Sequence, residues 1–294
     1  APRLERDAGV IVFTPLPKPP LKEHPMPEIT AKLVMELRDE TNLPMMKCKQ
    51  ALTANDGDKA AAVEWLRKQG LSGIAKFEGR ETPNGGIGMA LGNGKGALVM
   101  LGCQTDFVSG NDVFKAFVQE LADLALATGA NSVDALKAQS LKGQPVAEVI
   151  ATKIAQIGEN LVLVKVGSIS GTAVTGYNHG GRIATLVAGS GDAAKLRQVA
   201  LHVASANPAP VGLDRASVDP VVVKKEEEIL MATPEVQGKP EAMRSKIVQG
   251  KLGRFFKENV LLEQEMLLDA EKGESVEKYA ARHTLTVSGF VRFA

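Results

Sequence analysis

The chain has 294 residues, 44% hydrophobic and 23% charged, which is enough for two or three small domains with buried cores. A formal net charge of +1 excludes a strong whole-chain attraction to nucleic acid or an anionic membrane, and 4% aromatic residues are too few for a base-stacking surface. No apolar run reaches the ~18 residues of a membrane-spanning helix. The two cysteines, Cys48 and Cys103, lie far apart, which favours buried free thiols over a metal or redox pair.

Residues 1–26 differ from the rest in composition. Six prolines and three acidic side chains surround a short apolar run, and serine is absent. Transit peptides are basic and rich in serine, and secretory signals need a longer apolar stretch. We therefore expect a disordered extension here.

Residues 27–72 predict a bundle of three short helices. In the first helix, apolar residues recur every four positions and line one face: Ile29, Leu33 and Leu37. Pro44 separates it from the second helix. Asp58 is the expected N-cap of the third helix, and Gly70 its expected C-cap. The bundle resembles the ubiquitin-associated (UBA-like) type of module.

Residues 73–160 predict a first α+β subdomain. Two strand-like runs, 86–91 and 97–102, flank a glycine loop and indicate a β-hairpin. A long helix with a wide apolar stripe follows, beginning at Asn111 as its cap.

The second half, residues 161–212 together with 264–294, repeats this order of strands, glycine-rich turn, strand and helix. Strands are predicted over 161–166 and 168–174, and a turn over 177–181. The repetition favours an α+β protein whose core consists of two related subdomains with antiparallel sheets.

Residues 213–263 interrupt the second subdomain. Two charged helical segments, 218–231 and 240–259, are joined by a short connection. They predict an antiparallel helical hairpin, of the coiled-coil kind, with most of its surface in water.

Patterns typical of nucleotide binding or catalysis are absent from the sequence. Gly94-Lys95 lacks a glycine five positions before Gly94, and Gly96 stands where a P-loop needs Ser or Thr. The histidines are scattered, and neither a metal-ligand spacing nor a nucleophile with its base is visible. We expect no catalytic residue, no cofactor and no metal site.

Six segments, in order along residues 27–294, resemble the elongation factor Ts family. The most specific is Thr105-Asp106-Phe107-Val108, which follows a predicted strand and precedes the long helix. The others lie in the helical bundle and at 153–160, 177–183, 202–204 and 288–293.

The resemblance implies a guanine-nucleotide exchange factor of translation that performs no covalent chemistry. It would bind elongation factor Tu in its GDP-bound and nucleotide-free states, disturb the Mg²⁺ and phosphate site, and release GDP. The implied exchange residues are Thr105, Asp106, Phe107 and Val108, with Phe107 as a wedge. The implied partner contacts are Arg38, Met45, Met46 and His179.

Further expectations follow from the resemblance and the composition. The complex could be one-to-one or two-to-two, with no direct contact to nucleic acid or membrane. The location would be the bacterial-type cytoplasm, with an organelle as the alternative.

The residues taken alone leave simpler interpretations open. Phe107 could be core, and Asp106 a turn residue or helix cap. His179 would be an exposed loop residue, and Arg38 either a solvated charge or a rim contact. Of Met45 and Met46, one is expected in the bundle core and the other free for a partner. The alternative function is an interaction scaffold that uses the UBA-like bundle without exchange activity, although it leaves the larger region unexplained.

Overall fold

The computed structural model of the chain describes residues 29–41, 43–73, 77 and 79–294. The extension predicted over 1–26 lies outside these residues. The chain divides into two compact units, one ending at Leu66 and the other spanning Arg67–Ala294. Among the described residues, no helix combines the length and the apolar character needed to cross a bilayer.

The first unit contains the predicted helices α1 (Ala31–Thr41), α2 (Met45–Ala54) and the start of α3 (Lys59–Gly73). Asp58 caps α3 as expected, because its Oδ1 accepts a hydrogen bond of 3.0 Å from the N–H of Ala61. The predicted end at Gly70 is wrong, since α3 continues to Gly73. A glycine inside a helix costs only about 1 kcal/mol, which neighbouring turns can offset. The buried apolar residues are Val34, Leu37, Leu43, Cys48, Ala51, Leu52, Ala62 and Leu66.

The first sheet of the second unit has three antiparallel strands, in the order β1 (Asn84–Gly92), β2 (Lys95–Cys103) and β5 (Leu161–Ser170). The predicted hairpin forms from β1 and β2. Its turn residues Asn93 and Gly94 both have positive φ, 49° and 68°. This conformation matches the twist of paired strands, and asparagine and glycine adopt it most readily.

The third strand of this sheet, β5 (Leu161–Ser170), corrects the sequence analysis. Two strands were expected over 161–166 and 168–174, but a single strand continues through Gly167 and pairs with β2. The predicted subdomain boundary after residue 160 therefore cuts through the first sheet. Strand pairing across some sixty residues leaves no local signal in the sequence.

Between β2 and β5 the chain forms helices on one face of the first sheet. The helices are α4 (Asp106–Gly110), α5 (Asp112–Thr128), α6 (Val133–Lys137) and α7 (Val146–Ile157). Two short paired strands, β3 (Ser140–Leu141) and β4 (Gln144–Pro145), lie between α6 and α7. Asn111 caps α5, as predicted. The apolar stripe of α5 packs with alternate residues of β2, such as Val99 and Leu101, in the first core.

The second sheet repeats this topology. Strands β6 (Ala173–His179), β7 (Ile183–Ser190) and β8 (Thr286–Phe293) are antiparallel in the order β6-β7-β8, and α8 (Ala193–Ser205) packs on them. The turn was expected to begin at Tyr177, but β6 continues through His179 and the turn begins at Gly180.

The two sheets pack face to face within the second unit. Leu98 of β2 and Leu186 of β7 belong to one buried cluster, together with Ile87, Ala184 and Phe293. Their sequence neighbours point the other way, towards the helices. The unit is therefore a four-layer α+β structure with helices outside two antiparallel sheets.

The predicted helical hairpin interrupts the second sheet. It consists of α9 (Pro220–Ala232) and α11 (Glu241–Asn259), which contact each other, with α10 (Pro234–Gln237) in the connection. The chain then returns through α12 (Val276–Arg282) to β8.

A buried histidine holds the root of the hairpin. His202 of α8 is 1% exposed, and its Nε2 lies 3.1 Å from Oε1 of Gln264. The N–H of Leu267 donates to its Nδ1 at 3.3 Å, so Nε2 carries the proton of the neutral ring. The Gln264 amide donates in turn to the carbonyls of Pro208 and Glu258. Burial lowers the pKa of His202 from its ordinary value.

This environment predicts a loss of stability in mild acid. Because the folded state depresses the His202 pKa, the unfolded chain binds the proton first as the pH falls through ~6.5. Below that pH the free energy of unfolding should decrease by up to about 1.4 kcal/mol per pH unit for this group. Urea unfolding between pH 8 and 5.5 measures the effect.

Two variants serve as controls for this prediction. His202→Gln should be less stable at pH 8 but have a flatter pH dependence. Asn131→Ala, a change at an exposed residue without an ionisable side chain, should keep the dependence of the unaltered chain. An unchanged slope in His202→Gln would contradict the assignment.

Candidate functional site

The segment Thr105–Val108 follows β2 and forms the first turn of α4. Thr105 is the N-cap, and its Oγ1 accepts a hydrogen bond of 3.3 Å from the N–H of Val108. At Gly110 the helix ends, and Asn111 starts α5 directly afterwards. The segment is therefore a short, capped turn between a core strand and a long core helix.

Glu159 fixes the start of this turn. Its carboxylate accepts two hydrogen bonds from Thr105, one of 2.7 Å from Oγ1 and one of 3.1 Å from the backbone N–H. Glu159 follows Gly158, which ends α7 with a φ of 82°. The sequence analysis did not assign Glu159 to the site, although it lies in the 153–160 motif, and an acidic residue after a helix-ending glycine is only a weak signal.

The four residues of the segment divide into two that are anchored and two that project. Thr105 is held by Glu159, and Val108 packs against the first core. Asp106 is exposed, and the side chain of Phe107 is 87% exposed. The core interpretation of Phe107 is therefore wrong, and the helix cap is Thr105 and not Asp106.

Cys103 lies beneath the segment as an unreactive thiol. It is buried and donates a hydrogen bond of 3.2 Å from Sγ to the carbonyl of Thr105. Burial, and secondarily the negative charge of Glu159, raises its pKa to about 11. A thiol that stays protonated at neutral pH is a poor nucleophile, so its place here is structural.

His179 is the last residue of β6 and is exposed. Exposure is also what the sequence predicts for this residue without the family resemblance. Its Nδ1 lies 2.9 Å from the hydroxyl oxygen of Tyr177. The tyrosine O–H can donate to the neutral ring, which orients the imidazole and leaves Nε2–H for another acceptor.

Residues that adjoin the Thr105–Val108 segment and His179 line one cavity. This cavity of about 210 Å³ is bordered by Ser109 of α4 on one side and by Gly180 and Gly181, which follow His179, on the other. Lys115 of α5 also lines it. Residues next to two of the predicted elements, distant in sequence, therefore lie close together in the second unit.

Arg38, Met45 and Met46 lie in the first unit, and all three are exposed. Met45 is 45% and Met46 67% exposed, so the expectation that one of them belongs to the bundle core is wrong. The α2 core positions are taken by Cys48, Ala51 and Leu52 instead. Both methionines are accessible to a partner, and the exposure of Arg38 fits a solvated charge and a rim contact equally.

Within the part of the chain that the structure describes, no three His, Cys, Asp or Glu side chains are grouped so as to hold a metal ion. The glycine loop at 92–96 is the tight turn of a β-hairpin. It has no helix N-terminus with which to bind a phosphate.

We predict that the contact between Glu159 and Thr105 contributes measurably to the free energy of unfolding. Glu159→Ala should lower the free energy of unfolding by about 1–3 kcal/mol, because Thr105 loses two charge-assisted hydrogen bonds and its N–H loses its partner. Denaturant unfolding measures this, with a variant of the exposed Glu81, Glu81→Ala, as the control. Equal stabilities of the two variants would show that the contact does not hold the turn.

Comparisons with known proteins relate the chain to one family. The family described as "Elongation factor TS" matches residues 104–294. The chain is 42% identical to elongation factor Ts of Nitrobacter hamburgensis, over 92% of each chain. It is also 42% identical to elongation factor Ts of Ruegeria pomeroyi, over 90% of this chain and 91% of the relative. The same identity holds for elongation factor Ts of Gluconobacter oxydans, over 91% and 92%.

These relatives span nearly the whole chain. The region that matches the family, 104–294, contains the capped turn, the second sheet and the helical hairpin. The chain belongs to the elongation factor Ts family and has the role of a translation elongation factor.

Proposed function

We propose that the protein binds elongation factor Tu carrying GDP and promotes release of the nucleotide, so that GTP can bind in its place. The observation that carries the proposal is Phe107, 87% exposed on a turn that is anchored at Thr105 and Val108. Membership of the elongation factor Ts family supplies the identity of the partner.

Phe107 is suited to act as a wedge. An exposed phenylalanine gains about 1.5–3 kcal/mol when a partner buries it, and its ring is large and stiff. The short α4 cannot swing away, because Thr105 is bonded to Glu159 at its start. The free energy of burial can therefore displace helices in the nucleotide domain of the partner.

Asp106 adds a negative charge beside the wedge. A GTPase holds GDP through backbone donors around the phosphates and through Mg²⁺, and this site depends on the placement of charge. Exposed at the first position of α4, Asp106 is free to reorganise polar groups near the ion. Disturbing both the backbone donors around the phosphates and the coordination of Mg²⁺ lowers the affinity of the GTPase for GDP.

Exchange by this route needs no covalent chemistry. A factor that binds the nucleotide-free GTPase better than the GDP form weakens GDP binding by the same ratio. The protein is therefore proposed to be an exchange factor and not an enzyme in the covalent sense. As part of the proposal the exchange takes place in the cytoplasm, in a complex of either one-to-one or two-to-two stoichiometry.

The proposal divides the remaining contacts between the two units. In the second unit, His179 contacts the nucleotide domain beside the wedge. In the first unit, Arg38, Met45 and Met46 form a docking surface, for which flexible methionine side chains are suited.

The first test is a single substitution, Phe107→Ala. Because Phe107 is exposed, the variant should melt within about 2–4 °C of the unaltered chain. Loss of an aromatic hot spot should weaken its stimulation of GDP release from elongation factor Tu at least ~30-fold. Release of a fluorescent GDP analogue and thermal unfolding measure the two effects.

Phe114→Ala is the matched control, since Phe114 is 1% exposed in the first core. That variant should lose about 3–5 kcal/mol of stability, and the molecules that remain folded should still promote exchange. A large drop in melting temperature with normal exchange for Phe107→Ala would contradict the wedge.

A second test separates docking from exchange. The double variant Arg38→Ala, Met46→Ala should raise the Kd for elongation factor Tu roughly tenfold, while the GDP-release rate at saturating factor stays within about twofold. Met35→Ala, which removes another exposed methionine of the same bundle, is the control. An unchanged Kd together with a lower saturating rate would refute this division of labour.

A further inference from the structure

The turn that follows His179 is docked on the outer edge of the other sheet. The N–H of Ile87 in β1 donates to the carbonyl of Gly181 at 2.8 Å. Asn178 completes the contact, since its Nδ2 donates to the carbonyl of Ile87 at 3.0 Å and its Oδ1 accepts the N–H of Gly181 at 2.8 Å. An edge strand normally leaves such backbone groups unpaired. Here one side-chain amide and the turn satisfy both groups of Ile87.

The segment that carries Phe107 is attached to the same stretch of β1. Nδ2 of Asn84 donates at 2.9 Å to the carbonyl of Gln104, the residue before Thr105. Asn84 and Ile87 are three positions apart, about 10 Å along a strand. Both elements proposed to contact the partner are therefore fastened to four residues of one strand.

Helix α5 strengthens this attachment. A Cβ on Gly88 would lie 2.5 Å from the carbonyl oxygen of Val118, so the backbone of α5 packs directly on β1. Because α5 begins directly after α4, the position of α4 relative to β1 is fixed at both of its ends.

We propose that Asn178 is a positioning residue for nucleotide exchange, which fixes the spacing between Phe107 and His179 by tying the His179 turn to β1. The inference rests on the proposed function. Two contacts on one partner domain act together only when their separation matches, and a shift of about 1 Å at such a site has large effects on rate. Asn178 also lines the cavity between Ser109 and the turn of Gly180 and Gly181, and the width of this cavity depends on its amide.

The chemistry of the side chain makes the proposal specific. An asparagine amide donates and accepts at once, and Asn178 uses one end on β1 and the other on the turn. Asn178→Ala removes both bonds. Asn178→Asp keeps an acceptor for the Gly181 N–H but cannot donate to the Ile87 carbonyl.

The experiment uses the full chain with elongation factor Tu carrying a fluorescent GDP analogue. Asn178→Ala should lower the release rate at saturating factor about tenfold, while the Kd changes less than about threefold because the other contacts remain. Asn178→Asp should be impaired to the same degree. Asn131→Ala, at an exposed position between α5 and α6, is the control and should match the unaltered chain.

Hydrogen exchange gives a readout that does not depend on the partner. The amides of Ile87 and Gly181 should exchange about tenfold faster in Asn178→Ala, whereas the amide of Val108 should be unchanged. Equal acceleration at all three sites would indicate general destabilisation and would overturn the proposal.

A double-mutant cycle with His179→Ala tests whether Asn178 acts by positioning His179 or only by stabilising the fold. If Asn178 acts through His179, then Asn178→Ala should cost no more than about twofold in the His179→Ala background. A tenfold loss in both backgrounds, or Asn178→Asp behaving as the unaltered chain, would overturn the inference. No stimulation by the unaltered chain would refute the proposed function itself, which separates the two failures.

Discussion

The carboxylate of Glu159 accepts two hydrogen bonds from Thr105, and the candidate site depends on this contact. Thr105 caps α4, and Val108 on the far side of Phe107 is packed into the first core. The turn is thus anchored at Thr105 and Val108, and Phe107 between them is 87% exposed. Exposure of so large an apolar side chain on a rigid turn is unfavourable for the isolated chain and favourable for binding.

The duplicated architecture places the turn after His179 against the first sheet. Each sheet consists of a hairpin and a third strand that returns after a helical excursion, and the two sheets pack through Leu98 and Leu186. This packing sets the turn after β6 against the edge of β1, where Asn178 joins them. The packing of the two sheets thus fixes the position of this turn relative to β1.

The sequence predicted those elements of the fold that have strong local signals, and it failed where an element is short or is determined by distant contacts. The apolar stripe of α5 and its Asn111 cap are local signals, and the predicted helix agrees with the structure. Strand β5 was divided in two because Gly167 interrupts an alternating pattern, and its pairing with β2 is non-local. Helix α4, only five residues long, has too little periodicity to be recognised, and α7 was not predicted either.

The candidate site was predicted through family motifs more than through residue chemistry. Taken alone, Phe107 after a core strand indicates a core residue, because hydrophobic patterns do not encode which side of a capped turn faces water. Similarly, Met45 and Met46 are both exposed because Cys48, Ala51 and Leu52 fill the α2 face of the bundle core. Glu159 and Asn178 act through contacts 54 and 91 residues away in the chain, which one sequence cannot reveal.

The central claim is a thermodynamic linkage between this chain and GDP on a common partner. The most direct measurement is the affinity of the chain for elongation factor Tu, by calorimetry, once with the GTPase free of nucleotide and once with saturating GDP and Mg²⁺. The account predicts tighter binding to the nucleotide-free form, and a weakening of GDP binding by the same factor when the chain is present. Equal affinity for the two forms would contradict it, because a factor that binds both forms equally cannot displace the nucleotide.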